Sequence, residues 1–203
     1  MKRKRTICGL LCAACLLTGS ALAAGFSDVP EGKWYSQAVS EMAEQGIMSG
    51  VSEGKFDPNG VVSRGTVVTV LWRLAGQPEP TGEPFPDTVG KWYEKAAAWC
   101  RDAAVAGGYR DGSFQGEKAV TRQELAVFLC NYAKWKGEPM AEGPLDGFAD
   151  ADQIGKWAAD AVSHAVGMGI LKGDNENKIN PKGQATRAAL AVMLQRMLTP
   201  AVG

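Results

Sequence analysis

The sequence predicts an all-α protein made of three copies of one helix–loop–helix unit, and two recurring motifs carry that prediction. Gly-Lys-Trp occurs at Gly32-Lys33-Trp34, Gly90-Lys91-Trp92 and Gly155-Lys156-Trp157. A hydroxyl residue followed by Arg occurs at Ser63-Arg64, Thr121-Arg122 and Thr186-Arg187. The interval from Trp to Arg is 30 residues in every case, without a gap. A fixed internal period marks a repeat architecture rather than a bias in composition. Each copy also opens on Phe-x-Asp, at Phe26 and Asp28, Phe85 and Asp87, Phe148 and Asp150. The expected copies are residues 24–80, 85–138 and 146–200. The stretches Gly76 to Pro84 and Gly137 to Gly147, rich in Pro, Gly and Glu, read as linkers.

The first helix of each copy follows the Trp. Apolar or small residues then fall at helical spacing: Ala38, Val39 and Met42; Ala96, Ala97 and Cys100; Ala161, Val162 and Ala165. Gly46, Gly107 and Gly169 are the expected helix ends, since a residue without Cβ accepts the left-handed cap. A turn comes next, with Gly54 and Gly112 at matching positions and Asn177 in the third copy. Asn is the next best residue for positive φ, so one backbone shape serves all three. Phe56, Phe114 and Ile179 are expected to plug the loop into the core.

The second helix starts at Ser63, Thr121 or Thr186, each a good N-cap. Its apolar stripe runs Val67, Val70, Leu71 and Leu74, then Leu125, Phe128, Leu129 and Tyr132, then Leu190, Met193, Leu194 and Met197. A unit of about 50 residues with one such stripe per helix cannot bury a sizeable core alone, so the copies are expected to pack together.

The first 23 residues stand apart. Lys2 to Arg5 are basic, Ile7 to Leu17 are eleven uncharged, largely apolar residues, and Ala21-Leu22-Ala23 is a small-x-small site. This is the pattern of a secretory signal peptide cleaved after Ala23, and it is too short to span a bilayer. Cys12-Ala13-Ala14-Cys15 has the outline of a lipoprotein cleavage box, but Cys12 stands where leucine is usual. The remaining 180 of 203 residues carry 18 basic and 22 acidic side chains, a net charge of −4. That balance argues against a basic nucleic-acid binder or a polybasic membrane binder. Only Cys100 and Cys130 remain of five cysteines, which is neither a disulfide framework nor a metal quartet. They either pair within the second copy or pack as thiols.

Phe-x-Asp, an aromatic-led helix, a Gly-turn-Phe loop and a Thr-Arg-x-Glu helix start, in that order and three times over, resemble the S-layer homology (SLH) domain. The resemblance covers residue 26 to about 198. It implies a pseudo-threefold helical bundle with grooves between copies, holding exported proteins non-covalently on the bacterial envelope. The implied ligand is a pyruvylated secondary cell wall polymer or a modified peptidoglycan, and the implied ligand contact is the Arg of each second helix: Arg64, Arg122 and Arg187. The motif reads Ser63-Arg64-Gly65-Thr66, Thr121-Arg122-Gln123-Glu124 and Thr186-Arg187-Ala188-Ala189, so only the second copy keeps the Glu. Thr121 and Glu124 suit a capping box. Disrupted caps predict weaker grooves in the first and third copies, with the best-kept site in the second, around Arg122.

The residues themselves leave several roles open. A cation at the positive end of a helix dipole is unfavourable, so each Arg calls for a partner. That partner is either an anionic ligand, with helix-start amides donating to the same anion, or a carboxylate within the fold, Asp28, Asp87 or Asp150. The Asp residues are otherwise turn residues or partners of sugar hydroxyls. Lys33, Lys91 and Lys156 add a second cation to each groove or stand solvated. Trp34, Trp92 and Trp157 stack on a sugar face or pack the core.

Gly50-Val51-Ser52-Glu53-Gly54 matches G-x-S-x-G but lies between two helices, whereas the nucleophile elbow needs a strand before its Ser. His164, the sole histidine, falls on an exposed position of a first helix, matching Glu41 and Trp99. Asp174 to Asn180 has Ile179 where a calcium loop requires Gly. The expectation is therefore an anchoring module with no chemistry, no cofactor and no bound metal, whose partner is a cell-wall glycan. The three copies fill the chain as given, and neither a sortase motif nor a hydrophobic C-terminal tail follows them. The other reading is a structural or assembly protein of the envelope that contacts other proteins, its glycan grooves having decayed.

Overall fold

The structure, a computed structural model, describes residues 25–199. The signal-peptide expectation lies outside the described residues. Six α-helices follow one another: α1 (Ser36–Glu44), α2 (Arg64–Leu74), α3 (Glu94–Asp102), α4 (Arg122–Lys136), α5 (Ala159–Gly167) and α6 (Arg187–Leu198). A single 3₁₀ turn, Ala151–Gln153, precedes α5, and the described residues contain isolated β-bridges but no strand. The all-α expectation holds.

The helices pair across copies, not within them. α2 packs on α3, α4 on α5, and α6 returns to α1, which closes a ring. The linkers Gly76–Pro84 and Gly137–Gly147 are therefore the connections of two helix hairpins. Gly76 and Gly137 start them at φ +84° and +76°, where a side chain would be strained. Asp102 holds the first linker by accepting from the amides of Thr81 and Gly82 at 2.7 and 2.9 Å.

The residues just before the second helices meet on the pseudo-threefold axis. Val62 N–H donates to Ala185 C=O, Ala185 N–H to Val120 C=O, and Val120 N–H to Val62 C=O, at 2.8–3.0 Å. All three side chains are buried. Because the second helices start at this centre, they are enclosed on more than one side. Seven consecutive residues of α6, Ala188 to Leu194, are buried, as are Val67 to Leu71 of α2. The expected single stripe underestimates this burial.

Phe56, Phe114 and Ile179 plug the core at 0% exposure, and Gly54, Gly112 and Asn177 take positive φ as expected. Each plug is held at its amide by the Asp of Phe-x-Asp. The Asp28 carboxylate accepts from Phe56 and Asp57 N–H, Asp87 from Phe114 and Gln115 N–H, and Asp150 from Ile179 and Asn180 N–H, at 2.7–2.9 Å.

The amide of Phe56 lowers the Asp28 carboxyl below its ordinary range. At Asp87 burial pushes the other way, and the amides of Phe114 and Gln115 outweigh it. A lowered folded-state value stabilises the protein above the ordinary carboxylate range, and that stability is lost as pH falls through the folded value. The urea midpoint is therefore expected to fall as pH drops below about 4. An Asp28→Asn/Asp87→Asn variant should lose about 1 kcal/mol per site at pH 7, a value discounted for solvent screening. Its midpoint should change less between pH 5 and pH 3; an equal fall in both proteins refutes this role.

Two expectations need correction, and one open choice is decided: Cys100 and Cys130 pack as thiols. Gly107 does not end α3; Ala104 does, at φ +54°, twelve residues after Trp92 as Gly46 follows Trp34 and Gly169 follows Trp157. Val105 and Ala106 both donate to Cys100 C=O, and these bonds hold Ala104 in its strained turn. Cys100 and Cys130 are both buried and free. They sit on helices that pack against different neighbours, Cys100 Sγ facing Val68 C=O and Cys130 Sγ facing Ala161 C=O. The position of Glu41, Trp99 and His164 is not exposed: Trp99 is buried, and His164 Nδ1 lies 3.3 Å from Ala141 C=O.

Candidate functional site: three grooves shared between copies

Three grooves lie around the ring, and each is built from all three copies. Groove I has α2 as its floor, Arg187 of the third copy at one end and Trp92 of the second at its rim. Groove II has α4 as its floor, with Arg64 and Trp157 in the same places. Groove III has α6 as its floor, with Arg122 and Trp34. The cavities measure about 130, 300 and 660 Å3.

The arginines begin their helices, as expected, and reach across to the next copy. Arg64 Nε donates to Phe114 C=O at 2.9 Å, Arg122 Nε to Ile179 C=O at 2.6 Å, and Arg187 Nε to Phe56 C=O at 2.7 Å. An Asp thus holds the N–H of each plug residue while an Arg holds its C=O. The Arg–Asp ion pair, one of the two partners left open, does not form: among the described residues the ion pairs are Lys95–Glu79 and Lys178–Glu176. Burial pulls all three guanidinium pKa values down, yet Arg keeps its proton in proteins.

The helix-start amides are already bonded, which corrects the expectation that they serve an anion. Arg64 and Gly65 N–H donate to Lys118 and Gly116 C=O, Arg122 and Gln123 N–H to Gly183 and Pro181 C=O, and Arg187 and Ala188 N–H to Gly60 and Pro58 C=O. The third amide goes to the N-cap hydroxyl in every copy.

Trp34, Trp92 and Trp157 are 66%, 64% and 63% exposed. The residue after each enters the core instead, as Tyr35, Tyr93 or Ala158. Trp34 and Trp92 stand edge-on to that Tyr, which holds the indole upright at the groove rim. Lys33, Lys91 and Lys156 are exposed beside them and line none of the three grooves.

The S-layer homology domain family matches residues 25–68, 84–126 and 147–191. The chain belongs to that family. Among curated proteins it is 31% identical over 190 residues to the surface-layer 125 kDa protein of Lysinibacillus sphaericus, covering 88% of this chain and 15% of that protein. It is 28% identical over 182 residues to an amylopullulanase of Thermoanaerobacterium thermosulfurigenes, covering 85% and 9%. It is 26% identical over 200 residues to an S-layer protein of Bacillus thuringiensis subsp. finitimus, covering 95% and 24%. The chain thus spans less than a quarter of the length of these relatives.

The SLH helix-start motif divides between two grooves. Arg122 reaches groove III, while Glu124, two residues on, lines groove II with Arg64. Glu124 completes the capping box, accepting from Thr121 N–H at 2.7 Å and Thr121 Oγ1 at 2.8 Å. Thr66 and Ala189 hold its place in grooves I and III. Grooves I and III therefore lack the carboxylate that Glu124 places in groove II. An added Cβ at Gly65, where the other SLH copies have Gln123 and Ala188, would lie 2.5 Å from Tyr93 Cδ1. Next to Gln123, Ala158 replaces that ring, and Gln123 Oε1 accepts from Gly155 N–H at 2.9 Å.

Residues unforeseen from the motifs also line the grooves. Arg73, Asn131 and Arg196 each lie nine residues after the SLH Arg, on the face of the second helix that also carries its third and sixth residues. The gapless spacing extends to this offset, so the copies aligned on Arg reveal it. Tyr109, which covers Arg64 at 4.9 Å from its ring centroid, has no counterpart: Val51 and Asp174 occupy its position. Ser52 sits in a tight turn closed by Lys55 N–H to Ser52 C=O, with no strand before it.

Proposed function

We propose that this chain is a non-covalent anchor to the bacterial cell envelope, binding an acidic cell-wall glycan, a pyruvylated secondary polymer, in the grooves between SLH copies. The observation that carries this reading is the repeated pairing of an exposed indole at the rim with a tethered guanidinium at the end. A pyruvate ketal offers a carboxylate beside a sugar ring. The carboxylate suits a guanidinium fork, and the C–H face of the ring suits an indole.

Tethering matters to this chemistry. Each Arg is fixed through its Nε, so a terminal amino group that stays free loses little rotamer entropy to a ligand; Arg64 and Arg187 spend one such group on Gly107 and Ser49 C=O. Arg122 has no hydrogen bond from its terminal amino groups among the described residues. Recognition is by fit and charge, without a reaction, and the net charge of −4 does not oppose it because the cations are local.

The test is co-sedimentation of residues 24–203 with purified sacculi. The protein should pellet with intact sacculi and stay in solution with sacculi stripped of secondary polymer. A Trp34→Ala/Trp92→Ala/Trp157→Ala variant, altered only at exposed side chains, should keep its circular dichroism and bind roughly ten-fold or more weakly. Wild-type protein that remains in solution with intact sacculi of its own host refutes the anchor and directs attention to a protein partner.

A further inference from the structure

The three grooves share a plan but not a charge. Nine residues after the SLH Arg, α2 and α6 carry a second guanidinium, Arg73 and Arg196, while α4 carries Asn131. Groove I thus holds Arg187 and Arg73 with no acidic residue along its walls. Groove III holds Arg122, Arg196 and Lys172, with Lys178 paired to Glu176, against one carboxylate, Asp174. That carboxylate is engaged by the amides of Glu176 and Lys178. Groove II has one cation and one acid, Arg64 and Glu124.

Arg64 is also closed off. Like Arg187, which donates to Phe56 and Ser49 C=O, it donates twice, to Phe114 and Gly107 C=O, but it is 8% exposed where Arg187 is half-buried. The rings of Tyr109, Phe114 and Phe128 surround its guanidinium at 4.7–5.3 Å. Asn131, uncharged, spends its amide on Val105 C=O within the groove.

Grooves I and III carry the opposite sign of unfinished business. In groove I the Thr69 hydroxyl is buried, at 6% exposure, with no hydrogen-bond partner. The equivalent positions in the other grooves are Val127 and Val192, so the fold does not need a hydroxyl there. A buried hydroxyl left unpaired is costly, and a ligand oxygen accepting from it would recover that cost. In groove III, Arg122 and Arg196 line one cavity; burial lowers the Arg122 pKa most, the Asp174 charge opposes it and the Arg196 charge adds to it. An anion between two like charges relieves their repulsion.

We propose that the acidic polymer is gripped in two of the three grooves, by the guanidinium pairs Arg122–Arg196 and Arg187–Arg73, and that the groove around Arg64 does not take an anion. This rests on the anchoring reading above. Groove III, with the larger cavity and more cations, is the tighter of the two sites.

The decisive comparison is sacculus binding by residues 24–203 and by an Arg73→Gln/Arg196→Gln variant. Arg73 is exposed without a partner among the described residues, and Arg196 makes one long bond, 3.4 Å to Ile170 C=O, so both replacements leave the fold in place. A Lys134→Gln/Lys136→Gln variant removes the same charge from exposed positions outside the grooves. The arginine variant should lose at least ten-fold in affinity, with Arg196→Gln alone the larger single effect, and the lysine variant should bind as wild type.

The indole N–H signals of Trp92, Trp157 and Trp34 report grooves I, II and III separately. Titrated with a methyl hexoside carrying a 4,6-pyruvate ketal, Trp92 and Trp34 should shift and Trp157 should not; the neutral methyl ester should move none. Wild-type-like pelleting of the arginine variant, or a Trp157 response as strong as that of Trp34, overturns the two-groove assignment while leaving the anchor intact. Failure of the wild-type protein to pellet overturns the anchor itself.

Discussion

A chain ending at Gly137, which removes the third copy, is expected to be unfolded. In a linear array of repeats each unit touches only its neighbours, so losing a terminal unit leaves the others folded. Here α6 is the helix on which α1 packs, and α5 the one on which α4 packs. Removing copy 3 uncovers the side of α1 that carries Ala38, Val39 and Met42, all 1% exposed or less. It also leaves Val62 N–H without Ala185 C=O, and Arg122 without Ile179 C=O. At roughly 1.5–3 kcal/mol for each large apolar side chain returned to water, a handful of such exposures equals the 5–15 kcal/mol stability of a typical domain. Far-UV circular dichroism of the two-copy chain should show little helix and no cooperative melting. A cooperative transition with about two-thirds of the parent helix signal would mean that the copies are independent units and that ring closure adds little.

How much of this was legible in the sequence follows from what is local. The plugs Phe56, Phe114 and Ile179, the positive-φ turns and the N-caps Ser63, Thr121 and Thr186 depend on residues a few positions apart, and their spacing reveals them. The pairing of helices does not. α2 presents the same apolar stripe whether it meets α1 of its own copy or α3 of the next, and three similar second helices leave the choice open. Ala104 at positive φ was hidden for a related reason. A nearby glycine, Gly107, is the better local candidate, and only the double acceptor at Cys100 C=O holds the chain otherwise. The partner of each SLH Arg was hidden most deeply. Carboxylates can be searched for in a sequence, but a backbone carbonyl belongs to every residue, and the ones used lie between 50 and 131 positions away. What the sequence did contain, at a constant offset from each Arg, was the Arg73, Asn131 and Arg196 series that separates the grooves by charge.

Replacing Arg64 with Met is expected to lower stability by about 3 kcal/mol, although the site looks from sequence like a ligand contact. The Met side chain keeps most of the aliphatic packing but leaves Phe114 and Gly107 C=O unpaired; a buried polar group without a partner costs about 1–3 kcal/mol. The loss of the guanidinium from among Tyr109, Phe114 and Phe128 adds roughly 0.5–2 kcal/mol. For a chain of this size each kcal/mol moves Tm by about 2–4 °C, so melting should fall by about 10 °C. Because Arg64 joins α2 to the loop before α4, and the ring couples both to α6, helix signal and tryptophan fluorescence should drop together in one transition. Arg64→Lys should recover little, since an ammonium cannot donate to two carbonyls through a planar fork. Arg122→Met, at a half-buried side chain with one such bond, should cost less. An unchanged Tm for Arg64→Met would show that the carbonyls find other donors and that the guanidinium is free for a ligand. The expected order, stability lost first at Arg64 and binding lost first at Arg196, separates the arginines that build the ring from those proposed to face a glycan. Weak binding by an SLH Arg variant identifies a ligand contact only when measured well below its own melting temperature.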